Sequence, residues 1–394
     1  MRVLFVLPYG FNDRLRYFPE FVIARHLVKL GWEVSACVRW EGELTRQGNT
    51  EGIFVVRVHN RLEAVHRLLS LILQSDIVHI FHLRNHLGPL AFCLSKLLKR
   101  PVIFSEAGLL HDPFLVQDRD DPLAFPLRKQ FLRQSVGSWF FHLPLTGSDK
   151  VIFLSRHNVE IAKQIGLDMN RISWLPHAID GLRFAEGDSG TLQPATEMIK
   201  GPFGLFVGQM KLRKGWDILL RAVPSIPQEL LPKFVFVSST SHEAPSEFRR
   251  LVESLDIDDR VVYMGKIANS SLSMLYQKCR IVIIPSRYEG FGLSVLEAFE
   301  ACKPVIASNV IALNEFVQHT INGYLIPPKN PELLASGIRE ILQNEQLCRR
   351  IVEGGLGTLK EFNINKWLPN WVDAYLSVSD MKRGFATTNE NVKM

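Results

Sequence analysis

Short apolar runs that alternate with longer amphipathic stretches are the feature that most constrains the fold of this 394-residue chain. Runs such as Arg2–Leu7 and Ile77–Phe81 are almost continuously hydrophobic, which is typical of parallel strands buried on both faces. The stretches between them, such as Phe18–Leu30, have helical spacing. Strands that alternate with helices form βαβ units. The sequence therefore predicts an α/β fold with doubly wound parallel sheets.

The alternation is interrupted once, by a turn-rich stretch between Asp180 and Pro202. Before it we expect strands at Arg2–Leu7, Glu33–Val38, Phe54–Val58, Ile77–Phe81, Val102–Ser105, Val151–Leu154 and Ile172–Leu175. After it we expect strands at Phe203–Val207, Phe234–Val237, Val261–Met264, Ile281–Ile284, Val305–Ala307 and Gly323–Ile326. Further helical patterns lie at Leu62–Leu73, Leu87–Leu98, Pro331–Leu342 and Asn365–Val378.

These patterns predict two Rossmann-like domains. The first occupies residues 1–180, the linker residues 181–202, and the second residues 203–360. A helix at 361–378 is expected to pack back toward the N-terminal domain, and the polar stretch at 379–394 to form a flexible tail. Because ligands bind at the carboxyl ends of the strands in open α/β sheets, we expect the two domains to face a central ligand-binding cleft.

Composition excludes several classes of protein. With 46% hydrophobic and 22% charged residues, the chain is neither disordered nor fibrous. Its five cysteines are scattered without a C-x-x-C pair, which favours reduced thiols and a cytoplasmic location over a disulfide framework or a zinc site. No apolar run has the length of a signal peptide or a membrane span. The net charge of +6 is too small to indicate a nucleic-acid partner.

The most informative segment, Pro285–Ala298, reads P-S-R-Y-E-G-F-G-L-S-V-L-E-A. It follows a predicted buried strand, contains two glycines and leads into a helix expected to begin near Leu293. The amides of a first helical turn can bind an anion such as a diphosphate. Carboxylates such as Glu289 and Glu297 can accept paired hydrogen bonds from vicinal hydroxyl groups of a sugar or a ribose. On spacing alone, acidic residues that complement the helix dipole explain the segment equally well.

Together with five other segments, this motif resembles glycosyltransferase family 4, whose signature is E-x7-E. Gly208–Gly215 is similar to the family element G-R-L-x-x-x-K-G. Val151–Ser155 and Leu175–Asp180 are similar to V-I-x-x-S and I-P-N-G-V-D, and Lys303–Ala307 and Asn322–Pro327 match the following strands. The resemblance covers nearly the whole chain.

That resemblance implies a GT-B fold with an acceptor-binding first domain and a nucleotide-sugar-binding second domain. It implies a retaining, metal-independent glycosyltransferase of the hexosyltransferase type. The expected partners are a nucleotide-diphosphate sugar as co-substrate and a glycan or lipid-linked acceptor in the synthesis of cell-envelope polysaccharide, lipopolysaccharide or glycolipid. No D-x-D metal motif is present, and we expect neither a metal nor a separate cofactor.

The resemblance also implies roles for single residues. Glu297 should bind the nucleotide ribose, Glu289 the donor sugar near its reacting face, and Lys214 the diphosphate leaving group. We expect Glu289 and Lys214 to be exposed in the cleft and, with Glu106 on the acceptor side, to be catalytic. The residues implied in donor binding are Gly208, Gln209, Arg213, Lys214, Glu289, Gly290, Phe291, Gly292, Leu293 and Glu297.

On the donor side the chain departs from the family pattern at Gln209, which stands where the family has an arginine. Glutamine carries no charge, so one of two cationic contacts to the diphosphate is missing. Arg213 or Lys211, from the same loop, could supply it.

On the acceptor side the chain departs from the family pattern at Ala107, which replaces a histidine. Glu106 or His111 could reach the same part of the cleft, and Glu106 is favoured because it ends a strand. The loop after the first strand carries the single glycine Gly10 instead of a glycine pair, and Gly10 could still allow a close approach to the acceptor. His177–Ala178 replaces the family's Asn-Gly in a turn and is interpreted as structural.

Two further patterns carry alternatives. His79, His82 and His86 form H-x2-H-x3-H, but a strand would point His79 and His82 to opposite faces, which disfavours a metal site. His82 remains a candidate acceptor contact. The basic, aromatic-bearing segment Pro122–Trp139 is typical either of a helix in a membrane interface, which would place the protein at the inner face of the membrane, or of a packed helix with a solvated face.

Two other functions remain open. One is a nucleotide-sugar-binding module that has lost catalysis, which Gln209 and Ala107 favour. The other is a nucleotide-sugar epimerase on the same scaffold.

Overall fold

The computed structural model describes residues 1–8, 18–40, 45–81, 87–106, 138–181, 199, 201–238 and 242–390, and the structural statements below concern these residues. The chain divides into two compact units. The first comprises Met1–Asp180 and Ile364–Met394, and the second comprises Gly181–Asn363. Each unit is built on a mostly parallel sheet flanked by helices, which confirms the predicted α/β fold class.

The first unit contains an eight-stranded sheet with the order β3-β4-β2-β1-β5-β6-β7-β8. Its strands are β1 (Arg2–Leu7), β2 (Glu33–Arg39), β3 (Gln47–Thr50), β4 (Ile53–Val58), β5 (Ile77–Phe81), β6 (Val102–Glu106), β7 (Lys150–Phe153) and β8 (Ile172–Trp174). Neighbouring strands are parallel except for the β3–β4 pair. The flanking helices are α1 (Pro19–Lys29), α2 (Arg61–Gln74), α3 (Leu87–Leu97), α4 (Ser138–Gly147) and α5 (Arg156–Gln164).

The second unit contains a six-stranded, fully parallel sheet with the order β11-β10-β9-β12-β13-β14. Its strands are β9 (Phe203–Gly208), β10 (Lys233–Ser238), β11 (Val261–Gly265), β12 (Ile281–Ile284), β13 (Val305–Ser308) and β14 (Tyr324–Ile326). Its helices are α6 (Trp216–Ala222), α7 (Ser246–Ser254), α8 (Asn269–Lys278), α9 (Leu293–Glu300), α10 (Pro331–Gln343) and α11 (Glu345–Leu359).

The last helix, α12 (Ile364–Glu390), belongs to the first unit although it follows the second in the chain. Trp371 and Tyr375 are almost fully buried and pack in the core of the first unit with Phe5. The Tyr375 hydroxyl lies 2.7 Å from Nδ1 of His79 on β5. These contacts attach the helix to the first sheet.

The boundaries differ from those that the sequence predicts. The second unit takes in residues 181–363, where the expected linker and domain were 181–202 and 203–360. The last helix begins at Ile364 and continues to Glu390, whereas the sequence predicts a helix at 361–378 followed by a tail. The β3 strand at Gln47–Thr50 was not predicted.

No helix in the part of the chain that the structure describes has the length and apolar character needed to cross a bilayer.

Candidate functional site

In the second unit the order of the strands changes direction at β9 and β12. From β9 the chain proceeds outward through β10 and β11, and it then returns to β12 on the other side of β9. In doubly wound sheets, ligands bind beyond the carboxyl ends of the two strands at such a switch point. The segments that follow these strands are 209–215 and 285–292, and they contain most of the donor-binding residues that the sequence predicts.

The first segment forms a tight turn against the second. Residues Leu212–Lys214 make one 3₁₀ turn that ends at Gly215, whose φ of +72° is in the left-handed region. A Cβ atom at Gly215 would lie 1.9 Å from the carbonyl oxygen of Pro285, so only glycine fits there. The amide of Arg287 also donates to the carbonyl oxygen of Arg213 at 2.9 Å. The two segments are therefore in direct backbone contact.

A salt bridge holds the turn from the other side. The Arg287 guanidinium forms a bidentate pair with Asp217, with N–O distances of 2.6 and 2.7 Å. It also donates to the carbonyl oxygen of Leu212 at 2.6 Å. Paired hydrogen bonds of this kind fix geometry as well as charge. Arg287 thus fixes the turn that carries Arg213 and Lys214.

The centre of the site is the carboxylate of Glu289. Its Oε1 accepts hydrogen bonds from Lys214 Nζ at 2.6 Å and from Ser286 Oγ at 2.7 Å. Its Oε2 lies 3.7 Å from an Nη1 atom of Arg213. Two cations and one hydroxyl group therefore converge on one carboxylate.

The electrostatics of this cluster follow from its burial. Burial favours the neutral form of the Glu289 carboxyl, but the charges of Lys214 and Arg213 outweigh that effect and lower its pKa. Burial also lowers the pKa of Lys214, and the charge of Glu289 opposes this shift. The direction for Glu289 indicates an ionised carboxylate that is held between cations.

The expectation that Glu289 and Lys214 are exposed is wrong for both residues. The side chain of Glu289 is only 5% exposed, and that of Lys214 is 16% exposed. A charge can be buried this deeply because it is paired and hydrogen-bonded.

The geometry also distinguishes the two cations proposed to replace the charge missing at Gln209. Arg213 is turned toward Glu289, while Lys211 is exposed at the start of the turn. The Oε1 atom of Gln209 is buried and accepts no hydrogen bond within the described part of the chain. Gly208, at the end of β9, lies beside the Lys214 side chain, because a Cβ atom there would be 3.5 Å from Lys214 Cδ.

The helix α9 begins at Leu293, directly after Gly290, Phe291 and Gly292. Gly292, with φ of +101°, is its N-cap residue, and no side chain caps the helix. A Cβ atom at Gly292 would lie 2.2 Å from Leu313, so the turn into Leu293 needs glycine. Phe291 is buried between Phe316 and Phe362, which fixes the start of the helix. The first-turn amides of α9 are thus not occupied by a capping side chain.

Glu297 lies on the second turn of α9 and is half-buried. Its Oε2 atom accepts a hydrogen bond of 2.5 Å from the hydroxyl group of Tyr276 on α8. Sequence reasoning missed Tyr276. The available signal was its place in the helical pattern of Asn269–Lys278, since a tyrosine that is buried needs a partner for its hydroxyl group.

The acceptor-side candidates belong to the first unit. Glu106 ends β6 and is 5% exposed. Gly10 and His82, which follow the switch-point strands β1 and β5, lie outside the described residues, as do His111 and Ala107. Most of Pro122–Trp139 also lies outside them, and only the last two residues are described, as the start of α4.

A small cavity in the first unit lies at the carboxyl ends of β5 to β7, and Ser105, the chain neighbour of Glu106, is one of its lining residues. It is lined by Glu20, Ile23, Phe81, Ser105, Leu154, His177 and Trp371.

Of the three histidines in the H-x2-H-x3-H pattern, only His79 is among the described residues. It is fully buried, and its two ring nitrogens contact the hydroxyl groups of Tyr375 and Ser105. No cluster of His, Cys, Asp and Glu that could hold a metal ion occurs in the described ranges.

Comparison with known proteins identifies the family to which the chain belongs. The model of the glycosyl transferases group 1 matches residues 195–356, and the model of Glycosyltransferase Family 4 matches residues 21–181. An uncharacterized glycosyltransferase of Methanocaldococcus jannaschii is 27% identical over 312 residues, which is 78% of each chain. The O-antigen chain mannosyltransferase B of Escherichia coli is 29% identical over 174 residues, or 44% of this chain and 45% of that protein.

Other curated relatives are matched over shorter shares, between 35 and 57% of their length. Among solved structures, HepE of Anabaena in complex with UDP and glucose superimposes with a TM-score of 0.71 at 18% identity. That match covers 96% of this chain and all of HepE. At this level of identity the likeness shows a shared fold.

Proposed function

Because this chain belongs to the glycosyltransferases of the family 4 type, with the GT-B fold, we propose that it transfers a sugar from a nucleotide-diphosphate sugar to a hydroxyl group of an acceptor. The observation that carries the proposal is the convergence of Lys214, Arg213 and Glu289 at the switch point of the second sheet. Two cations that could bind a diphosphate and one carboxylate that could bind a sugar lie at this point, close in sequence to the start of α9.

On the donor side, Lys214 and Arg213 neutralise the diphosphate, and the amides of Gly292 and Leu293 add hydrogen bonds to it. Glu289 binds hydroxyl groups of the sugar, and Glu297 binds the ribose. The HepE complex with UDP and glucose supports this class of donor. When the donor binds, phosphate oxygens take the place of the Glu289 carboxylate as partners of Lys214, which frees the carboxylate for the sugar.

The proposed reaction retains the configuration at the anomeric carbon. The acceptor oxygen forms a bond to that carbon on the face from which the diphosphate leaves, while the bond to the diphosphate oxygen breaks. The acceptor proton passes to that leaving oxygen. Charge on the leaving group is stabilised by Lys214, Arg213 and the helix start, and positive charge at the sugar by Glu289. This catalysis requires no metal ion.

The acceptor is proposed to be a glycan or a lipid-linked glycan in the synthesis of cell-envelope polysaccharide, lipopolysaccharide or glycolipid, at the cytoplasmic side of the membrane. The support is the O-antigen mannosyltransferase among the relatives. Glu106 is proposed as the acceptor-side catalytic residue, because it ends a central strand of the first sheet.

Donor turnover tests the proposal. The protein is incubated with UDP-, GDP- and ADP-linked hexoses, with and without glycan acceptors, and products are separated by mass and by the anomeric coupling constants in proton NMR. We expect release of one nucleoside diphosphate and a product with the donor's anomeric configuration, unaffected by EDTA. An inverted product, or activity that EDTA abolishes, would overturn the mechanism.

A nucleotide-sugar-binding module is the alternative that Gln209 favours, because the family's arginine is missing there. If the chain is such a module, it binds a nucleotide sugar but neither transfers the sugar nor slowly hydrolyses the donor. An epimerase would instead convert the donor sugar in the absence of acceptor, which the same product analysis detects.

A further inference from the structure

Tyr276 contacts the carboxylate of Glu297, which is proposed to bind the ribose. It occupies α8, is fully buried and donates its hydroxyl proton to Glu297 Oε2 at 2.5 Å. The helix α8 lies alongside β9, and α9 follows β12, so the bond joins helices that flank the two switch-point strands. A fully buried tyrosine ring has one position, and its hydroxyl group is therefore a fixed point for the more exposed carboxylate.

The torsion that orients a glutamate carboxylate, χ3, is broad and has little preference of its own. A carboxylate that binds both hydroxyl groups of a ribose must present its two oxygens in the plane of those groups. It has about four acceptor positions, so the bond from Tyr276 is compatible with two further bonds. A donor to one oxygen from a fixed direction selects the orientation of the group before the ligand arrives.

We propose that Tyr276 is a positioning residue that orients Glu297 for a vicinal diol and thereby makes the site selective for ribonucleotides over 2′-deoxyribonucleotides. This inference rests on the proposed function of the site. It goes beyond that function because it assigns to α8, outside both segments of the site, a part in the choice of nucleotide. Loss of the Tyr276 hydroxyl leaves the charge of Glu297 in place but removes this fixed donor to its Oε2 atom.

Nucleotide binding measured by calorimetry tests the inference. UDP, GDP and ADP are titrated into the full chain, and the nucleotide that binds is then compared with its 2′-deoxy form. One lost hydrogen bond to a charged group corresponds to roughly a tenfold weaker binding of the deoxynucleotide to the wild type. In Tyr276→Phe we expect this ratio to fall to about threefold or less, with weaker ribonucleotide binding causing most of the change. With the corresponding sugar donor, KM should rise while kcat stays within about twofold.

The chain offers a matched control. Tyr324→Phe removes a similar hydrogen bond, from Tyr324 to Glu340 at 2.6 Å, elsewhere in the second unit. This variant should keep the wild-type ratio. Glu297→Gln should lose the ratio as Tyr276→Phe does.

Thermal unfolding establishes that Tyr276→Phe is folded. If the folded variant has the same ratio of ribonucleotide to deoxyribonucleotide affinity as the wild type, the positioning role alone is overturned. A wild type that binds none of the three diphosphates overturns the proposed function, and the inference with it.

Discussion

The substitution Lys214→Met probes the balance between stability and function at the centre of the site. It keeps most of the length of the side chain and removes its charge. The Glu289 carboxylate, 5% exposed, then keeps a hydrogen bond from Ser286 at 2.7 Å and the Arg213 charge at 3.7 Å. Removing one partner of a buried pair costs about 3–5 kcal/mol, and these remaining contacts reduce the expected loss to about 2–3 kcal/mol. For a unit of this size that lowers Tm by about 4–12 °C.

The double variant Lys214→Met, Glu289→Gln separates the two roles of the pair. Replacing both charges by neutral groups of similar volume is close to neutral for stability, because neither partner is left as an unpaired charge. We expect the double variant to regain most of the Tm that the single Lys214→Met variant loses. Its donor turnover should nevertheless stay at least about a hundredfold below wild type, since two of the groups proposed to contact the donor are gone.

The assay is a double-mutant cycle in which Tm and donor turnover are measured on the wild type, both single variants and the double variant. Asp76→Asn, which breaks the exposed pair between Arg2 and Asp76, is the control and should leave Tm nearly unchanged. Two results would refute the reasoning: a Tm in Lys214→Met that matches the control, or a double variant that recovers turnover together with stability.

The pH dependence of stability should also depend on Glu289. Its pKa is lowered in the folded state, so its contribution is complete above the unfolded value of about 4.3 and is lost as the pH falls through the folded value. The difference in unfolding free energy between the wild type and Glu289→Gln should therefore shrink as the pH is lowered from 7 to 3, and a constant difference would contradict the assignment. At the turn, Gly215→Ala should destabilise the protein by at least about 2–3 kcal/mol, because the residue has a positive φ and its Cβ atom would overlap the Pro285 carbonyl. Gly357→Ala, in a helix with open space around it, is the control and should stabilise by about 0.5–1 kcal/mol in thermal unfolding.

The alternation of apolar runs was sufficient to predict the fold class and nearly all strands. Buried parallel strands are continuous in hydrophobicity, and their ends agree with the structure within one or two residues, as at Ile77–Phe81 and Ile281–Ile284. The β3 strand has no such pattern, because Gln47–Thr50 is polar, and it joins the sheet by antiparallel pairing with β4. Edge strands of this kind depend on a neighbour that the local sequence does not reveal.

The candidate site was predictable in its membership and less so in its geometry. The E-x7-E pattern located Glu289 and Glu297, but it contains no information on the 2.6 Å contact with Lys214, which is 75 residues away in the chain. Spacing also could not show that the carboxylate is buried, because burial results from the packing of two separate turns. Tyr276 was missed for the same reason, since its partner lies on another helix.

The attachment of α12 to the first sheet has a consequence for biosynthesis. Residues 181–363 form an unbroken stretch of chain, so the second unit has all its own residues once position 363 has left the ribosome. The first unit must wait for Trp371 and Tyr375, and until they arrive its sheet has an uncovered apolar face around Phe5. Folding during translation therefore finishes in the half whose synthesis began first.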